Sequence, residues 1–160
     1  MSSVLRCGVL ALIAATCTGL AQDAQAAKFY KLDFVVKEVE GGKVLNSRAY
    51  STMILAANEG RAAIRIGTKV PFQTTPEIRY ADLGVNIDCD HVREMDGGLA
   101  LRVAAELSSV AEQQNPPVIR QNKWDSNVVV MLRKPTVLFT SDDPASRQQM
   151  QLELTATPVR

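Results

Sequence analysis

Histidine and tryptophan each occur once in this chain, cysteine three times, and aromatic residues make up only 5% of its 160 residues. A zinc site wants three or four convergent ligands, and one histidine (His91) with so few cysteines supplies little toward them. Charge of one sign is also lacking: 18 Lys and Arg stand against 17 Asp and Glu, for a net charge of +1. That balance leaves no basic field for nucleic acid and no polybasic patch for anionic lipid. The apolar run from Val9 to Leu20 falls short of the ~20 residues of a membrane-spanning helix.

That run belongs to a different signal. Arg6 precedes it, and Ala24-Gln25-Ala26 follows it as an A-x-A cleavage signature, so residues 1–26 read as a secretory signal peptide. Cleavage is expected after Ala26, with Ala27 as the next candidate. Lipid attachment at Cys17 is not expected, because "AATC" lacks the usual leucine and places threonine before the cysteine. Cys7 and Cys17 leave with the leader, so Cys89 stands alone in an oxidising compartment and no internal disulfide can form. A lone cysteine there packs as a small hydrophobe or pairs between chains. The expected location is periplasmic or secreted, with no transmembrane segment after processing.

From Lys28 onward the hydrophobic period is two rather than 3.6. "FYKLDFVVKEVEGGKVLNSRAYSTMIL" reads as two strands turning at Gly41-Gly42, and "NEGR" at 58–61 is a second turn. In "AAIRIGTKVPF", Gly67 and Pro71 mark a bend or bulge, since proline cannot donate to a ladder. "PEIRYADLGVNIDCDHV" runs extended to the turn at Asp96-Gly97-Gly98. The return strand alternates Leu99, Leu101, Val103, Ala105 and Leu107 against Ala100, Arg102, Ala104 and Glu106. A helix through "AAEL" would scatter those leucines around its surface, so the alternation decides for a strand. "NPPVIRQ", "SNVVVML", "PTVLF" and "MQLELTATPVR" complete seven or eight strands, with "SDDPASR" as a loop. The expected fold is all-β, a mainly antiparallel sandwich or open barrel in a single domain over residues 27–160.

Taken in order, "IRIGTKVPF", "IRYADLGVNID", "DGGLALRVAAELSSV", "PPVIRQNKWDSNVVVMLRKPTVL" and "LELTATP" resemble the C-terminal β-domain of bacterial secretins. Secretins form outer-membrane channel rings in type II and type III secretion and type IV pilus systems. The positions that carry the likeness are Gly67, Pro71, Tyr80, Asp82, Gly84, Asp96, Gly97, Leu99, Leu101, Glu106 and Ser108, within residues 61–157. The resemblance implies the sheet and its strand order. It does not extend to ring-forming domains, a glycine-rich gate or a terminal leucine-glycine signature. The strands also lack the outward apolar band and aromatic girdles of a lipid-facing barrel. The expectation is a free-standing envelope module on the secretin sheet, working without channel activity.

The reactive-looking cluster is "DCDH". In a regular strand Asp88 and Asp90 share one face and Cys89 and His91 the other, with residues two apart ~6.5–7 Å apart. A Cys–His dyad needs hydrogen-bond reach of about 3.5 Å and a third group to orient the base. Asp88, Asp90 and His91 come nearest to a metal-ligand set, yet no calcium-loop spacing surrounds them. They read instead as polar residues near a hairpin, and no catalytic residue, metal or cofactor is expected. Trp124 in "NKWD" is either a core or strand-pairing aromatic or an exposed binding platform. Ser108-Ser109 has no glycine elbow or partner histidine. Arg61, Arg65, Arg79, Arg93 and Arg102 are expected to pair with carboxylates across a solvated face.

Three functional readings follow. The first is a non-enzymatic exported sandwich that contacts a protein partner or itself in the cell envelope, in secretion or pilus assembly, through edge-strand pairing. The second is a glycan- or cell-wall-binding module using Trp124, and the third a metal-dependent hydrolase at Asp88, Asp90 and His91. N-terminal sequencing of the exported protein is expected to begin at Ala27. An intact amino terminus at Met1 would contradict the leader reading.

Overall fold

The computed structural model describes residues 28–74, 76–112, 117–143 and 147–159. The expected leader with Cys7 and Cys17, and Pro116 and Pro144 of the two loops, lie outside the described residues. Eight strands follow one another: β1 (Phe29–Glu40), β2 (Lys43–Leu55), β3 (Ala62–Thr74), β4 (Glu77–Met95), β5 (Gly98–Glu112), β6 (Val118–Met131), β7 (Thr136–Asp142) and β8 (Gln148–Pro158). They form two antiparallel four-stranded sheets, ordered β2-β1-β8-β7 and β3-β4-β5-β6. The sandwich alternative therefore holds, without barrel closure. No helix among the described residues is long and apolar enough to cross a membrane.

Period-two patterning places the core. From β1 come Tyr30, Leu32, Phe34 and Val36, and from β8 Leu152, Leu154 and Ala156. Opposite them β4 contributes Val85, Ile87, Cys89 and Val92, and β5 contributes Leu99 through Leu107 at every second position. Phe34, Leu152 and Leu154 are fully shielded, each worth roughly 1.5–3 kcal/mol of transfer free energy. Among the described residues no charged residue is buried, and the hydroxyl of Tyr30 is the one polar handle among the buried residues of β1. A latch joins the sheets at one end: the Tyr30 hydroxyl donates to Glu94 Oε1 at 2.7 Å, and Lys28 Nζ reaches Glu94 Oε2 at 2.7 Å.

Two features differ from the sequence expectation. No bulge occurs at Gly67 or Pro71; β3 pairs with β4 without a shift from Ala62↔Cys89 to Thr74↔Glu77. Pro71 is tolerated because β3 is an edge strand, where a missing N–H can face solvent. In β4 a bulge lies at His91 instead, and other register shifts fall at Glu38/Val39, Val110/Glu112 and Val137/Phe139. Asp90 pairs with Arg102 and Arg93 with Ala100, so His91 and Val92 together oppose one residue of β5. His91 takes φ 52°, which turns its side chain out and sends Val92 into the core. Cys89 and His91 therefore do not share a face: Cys89 is inside and His91 is exposed.

One transverse row explains several residues of the secretin-like pattern. Gly67 lies opposite Gly84, and Gly84 opposite Ser108. A Cβ on Gly84 (φ +149°) would sit 2.0 Å from the Ile66 carbonyl oxygen and 2.6 Å from Gly67 Cα. The Gly84 N–H donates to Ser108 Oγ at 2.9 Å, so a side chain stands where the ladder would use a backbone carbonyl. The β4–β5 pairing stops at this row. Beyond it, β3–β4 continues as a two-stranded ribbon to the Thr74↔Glu77 pair, while β5–β6 continues separately to Glu112↔Val118.

Gly84→Ala is expected to lower stability by about 3 kcal/mol, through steric clash and a strained backbone. Gly42→Ala, whose Cβ meets open space, should lose only the left-handed penalty of about 1–2 kcal/mol. Urea denaturation of both variants checks this, and equal losses would contradict the close packing at Gly84.

Candidate functional site

On the outward face of the β3–β6 sheet, charges pair across strands as expected for two of the five arginines. Arg65 of β3 bridges Asp88 of β4. Arg102 of β5 sits between Asp90 of β4, at 3.2 Å, and Asp125 of β6. Lys123 reaches Glu106 at 3.2 Å in the next row. Arg61, Arg79 and Arg93 make no ion pair with a described residue. His91 joins through Nδ1, 2.6 Å from Asp90 Oδ1. That contact with His91, followed by the charge of Arg102, holds the Asp90 carboxyl below its ordinary range.

The carboxylates of "DCDH" are thus occupied by cations, and the residues are not arranged as ligands. Among the described residues no group of three or more His, Cys, Asp or Glu side chains could hold a metal ion. Cys89 is a free thiol inside the core. Burial first, then the charges of Asp88 and Asp90, push it up to about 12, which opposes thiolate formation. Ser108 is engaged with Gly84 and has no base beside it. Trp124 lies on the inner face of β6, half-buried against the core, its ring 6.2 Å from that of Phe139.

The site that stands out lies at the end of the sandwich below the Gly84–Ser108 row. There the inward positions change character row by row. One row reads Tyr50, Phe34 and Leu154; the next reads Arg48, Val36 and Leu152; the next reads Asn46, Glu38 and Met150. On the facing sheet Ala105–Trp124 gives way to Leu107–Asn122 and then to Ser109–Arg120. The result is a cleft of about 850 Å³, in which polar groups such as Glu38, Asn46, Arg48 and Arg120 share the walls with Val110, Val118, Ile119 and Met150. Arg120 pairs with Asp143 at 2.8 Å and Asn122 Nδ2 lies 3.7 Å from Met150 Sδ. Glu38, Asn46 and Arg48 make no side-chain hydrogen bond or ion pair with a described residue.

Sequence reasoning passed over these three residues, although a signal existed. In "FYKLDFVVKEVE" the parity that buries Tyr30, Leu32, Phe34 and Val36 also carries Glu38 inward. A charged residue on the core parity of a strand marks the place where the core ends or a site begins.

Two pH effects follow from the buried hydroxyl and thiol. Tyr30 is raised to about 12 by desolvation and by its hydrogen bond to Glu94, and Cys89 to about 12. Both groups are neutral when protonated. The unfolded chain therefore gives up their protons near 9.0 and 10.0 while the folded chain keeps them. Stability should be level up to about pH 9 and decline steadily toward pH 12. Cys89→Ala should remove the first part of that decline. Urea midpoints across this range measure it, and a flat profile to pH 11 would contradict the burial of both groups.

No protein-family model and no curated protein sequence matches the chain. Among solved structures it is similar to the type III secretion injectisome secretin InvG of Salmonella, at 8% identity and a TM-score of 0.51, over 84% of this chain and 64% of that one. It is similar as well to the type II secretin GspD of enteropathogenic Escherichia coli, at 10% identity and a TM-score of 0.51, over 84% of this chain and 69% of that one. The type II secretion system secretin XcpQ of Pseudomonas aeruginosa aligns at 14% identity with a TM-score of 0.49, over 84% of this chain and 58% of that one. The chain thus spans less than two thirds of XcpQ and of InvG. In fold, this chain is a partial secretin-like β-domain.

Proposed function

We propose that the protein is an exported, non-enzymatic β-sandwich module that works through protein contacts in the cell envelope, in a secretion or pilus assembly. The observation that carries this reading is the state of the sheet edges. β2 and β6 are edge strands of 13 and 14 residues with no proline in either, and each has one side of its backbone without a strand partner among the described residues. Such edges are templates for another chain unless they are blunted. Exposed apolar side chains accompany them: Val44, Leu45 and Met53 on β2, and Val118, Ile119, Val129 and Met131 on β6. The secretin-like fold agrees with this reading, and InvG is found with PrgH and PrgK in a basal body.

The chemistry of the polar residues points the same way. The carboxylates at 88, 90 and 125 are bound by arginines, and the thiol of Cys89 is held protonated. The outward face of the β3–β6 sheet carries ion pairs where a lipid-facing barrel presents an apolar band.

Light scattering on size-exclusion chromatography should show a mass that rises with concentration. Alternatively, a secretion or pilus component should co-elute when the tagged protein is drawn from envelope extract. A strict monomer over a wide concentration range, with no such component retained, would overturn the reading.

A further inference from the structure

The β3–β6 sheet forks beyond the Gly84–Ser108 row: among the described residues, Ile78–Leu83 pair with β3 alone and not with β5. Gly84 N–H points toward β5, since it donates to Ser108 Oγ. Strand alternation then turns the backbone groups of Ile78, Tyr80 and Asp82 the same way. The Asp82 carbonyl oxygen, 3.5 Å from Ser108 Oγ, agrees with this. Arg79, Ala81 and Leu83 face the other way, toward Phe72, Val70 and Thr68 of β3. Pro71, opposite Tyr80, has its missing N–H on the far side, which blunts the outer edge of β3 and leaves the β4 edge open. Across the gap, Ser109, Val110 and Glu112 pair with β6, with a register shift between Val110 and Glu112, and with no other described strand. Tyr80 and Ile78 flank the gap at 62% and 65% exposure. The foot of the gap meets the polar cleft, where Gly84 and Ser108 share a hollow with Glu38, Asn46 and Arg48.

The geometry points to this fork as a docking site for an extended segment of another protein, about six residues long, that adds as a strand to Ile78–Leu83 and sets its end among Glu38, Asn46 and Arg48. The inference rests on the protein-contact reading above and names the kind of partner. A strand entering the fork must arrive with free edges. Every described strand already has at least one neighbour, so the folded sheets of a second copy do not supply it. The cleft suits peptide groups: an asparagine amide can donate to and accept from a peptide bond at once, and a guanidinium takes a carbonyl or a terminal carboxylate. A saccharide would use Tyr50, which lines the hollow beside Arg48, as a stacking face, and is the competing occupant that the test separates.

The test is a phage library of random ten-residue peptides panned against the intact chain, followed by titration of one enriched synthetic peptide. Enriched peptides should alternate apolar residues. Tyr80→Pro removes one fork-facing N–H without touching the β3–β4 hydrogen bonds, and should weaken binding at least tenfold. Arg48→Ala should weaken it severalfold, and Lys31→Ala, on the outer face of the other sheet, should leave it unchanged. Circular dichroism and thermal midpoints confirm that each variant folds. If Tyr80→Pro does not fold, Asp82→Pro replaces it; if neither folds, Arg48→Ala and Glu38→Gln decide. Absence of enrichment, or affinity unaltered by the fork and cleft variants, overturns the site. Soluble peptidoglycan fragments bound in an Arg48-dependent manner without peptide enrichment would also overturn it, in favour of a glycan. Failure here with concentration-dependent assembly intact would remove the fork and leave the edge-contact reading standing.

Discussion

A single hydrogen bond, from the Gly84 N–H to the Ser108 hydroxyl, organises the forked end of this molecule. It ends the central β4–β5 ladder with a side chain in place of a backbone carbonyl. Beyond it β3–β4 and β5–β6 continue as two ribbons that do not pair with each other among the described residues. The close approach of Gly67 and Gly84 makes the row possible, because any Cβ at position 84 would lie inside the Ile66 carbonyl. The secretin-like glycines and serine are thus explained by backbone contact rather than by chemistry at a reacting centre.

The remainder of the molecule holds that end in place. Interleaved leucines, valines and Phe34 seal the two sheets, and the Tyr30–Glu94–Lys28 latch ties them at one end. At the other end the inward rows turn polar, so the sheets are held by fewer apolar contacts and a cleft opens. The inward rows therefore change along one axis, from an apolar, latched end to a more polar, forked end. Unpaired edges placed beside a polar cleft suit recognition of backbone better than they suit catalysis.

Much of the fold was legible in the sequence because alternation is a local signal. Leu99 to Leu107 and Phe34 with Val36 could be assigned to the core from parity alone, and Gly41-Gly42 and Asp96-Gly97 marked their turns. Parity fails wherever one extra residue enters a strand. The bulge at His91 carries no glycine or proline to announce it, and it moved His91 from the inner face to the outer and Val92 from the outer to the inner. Pro71 was misread for the opposite reason. A proline announces a lost hydrogen bond, but only the strand order shows that the lost bond lies on an outer edge. The fork was invisible because it is an absence of pairing between segments 25 or more residues apart, and nothing in either segment records it.

Amide hydrogen exchange, resolved by residue in the free protein, bears most directly on the forked sheet. The amides of Ile78, Tyr80 and Asp82 should exchange freely, while those of Arg79, Ala81 and Leu83, bonded to β3, and of Ile87 and Cys89 in the closed part of the sheet should be protected. Uniform protection along β4 from Ile78 to Cys89 would mean that the ribbons zip together, and would contradict the account.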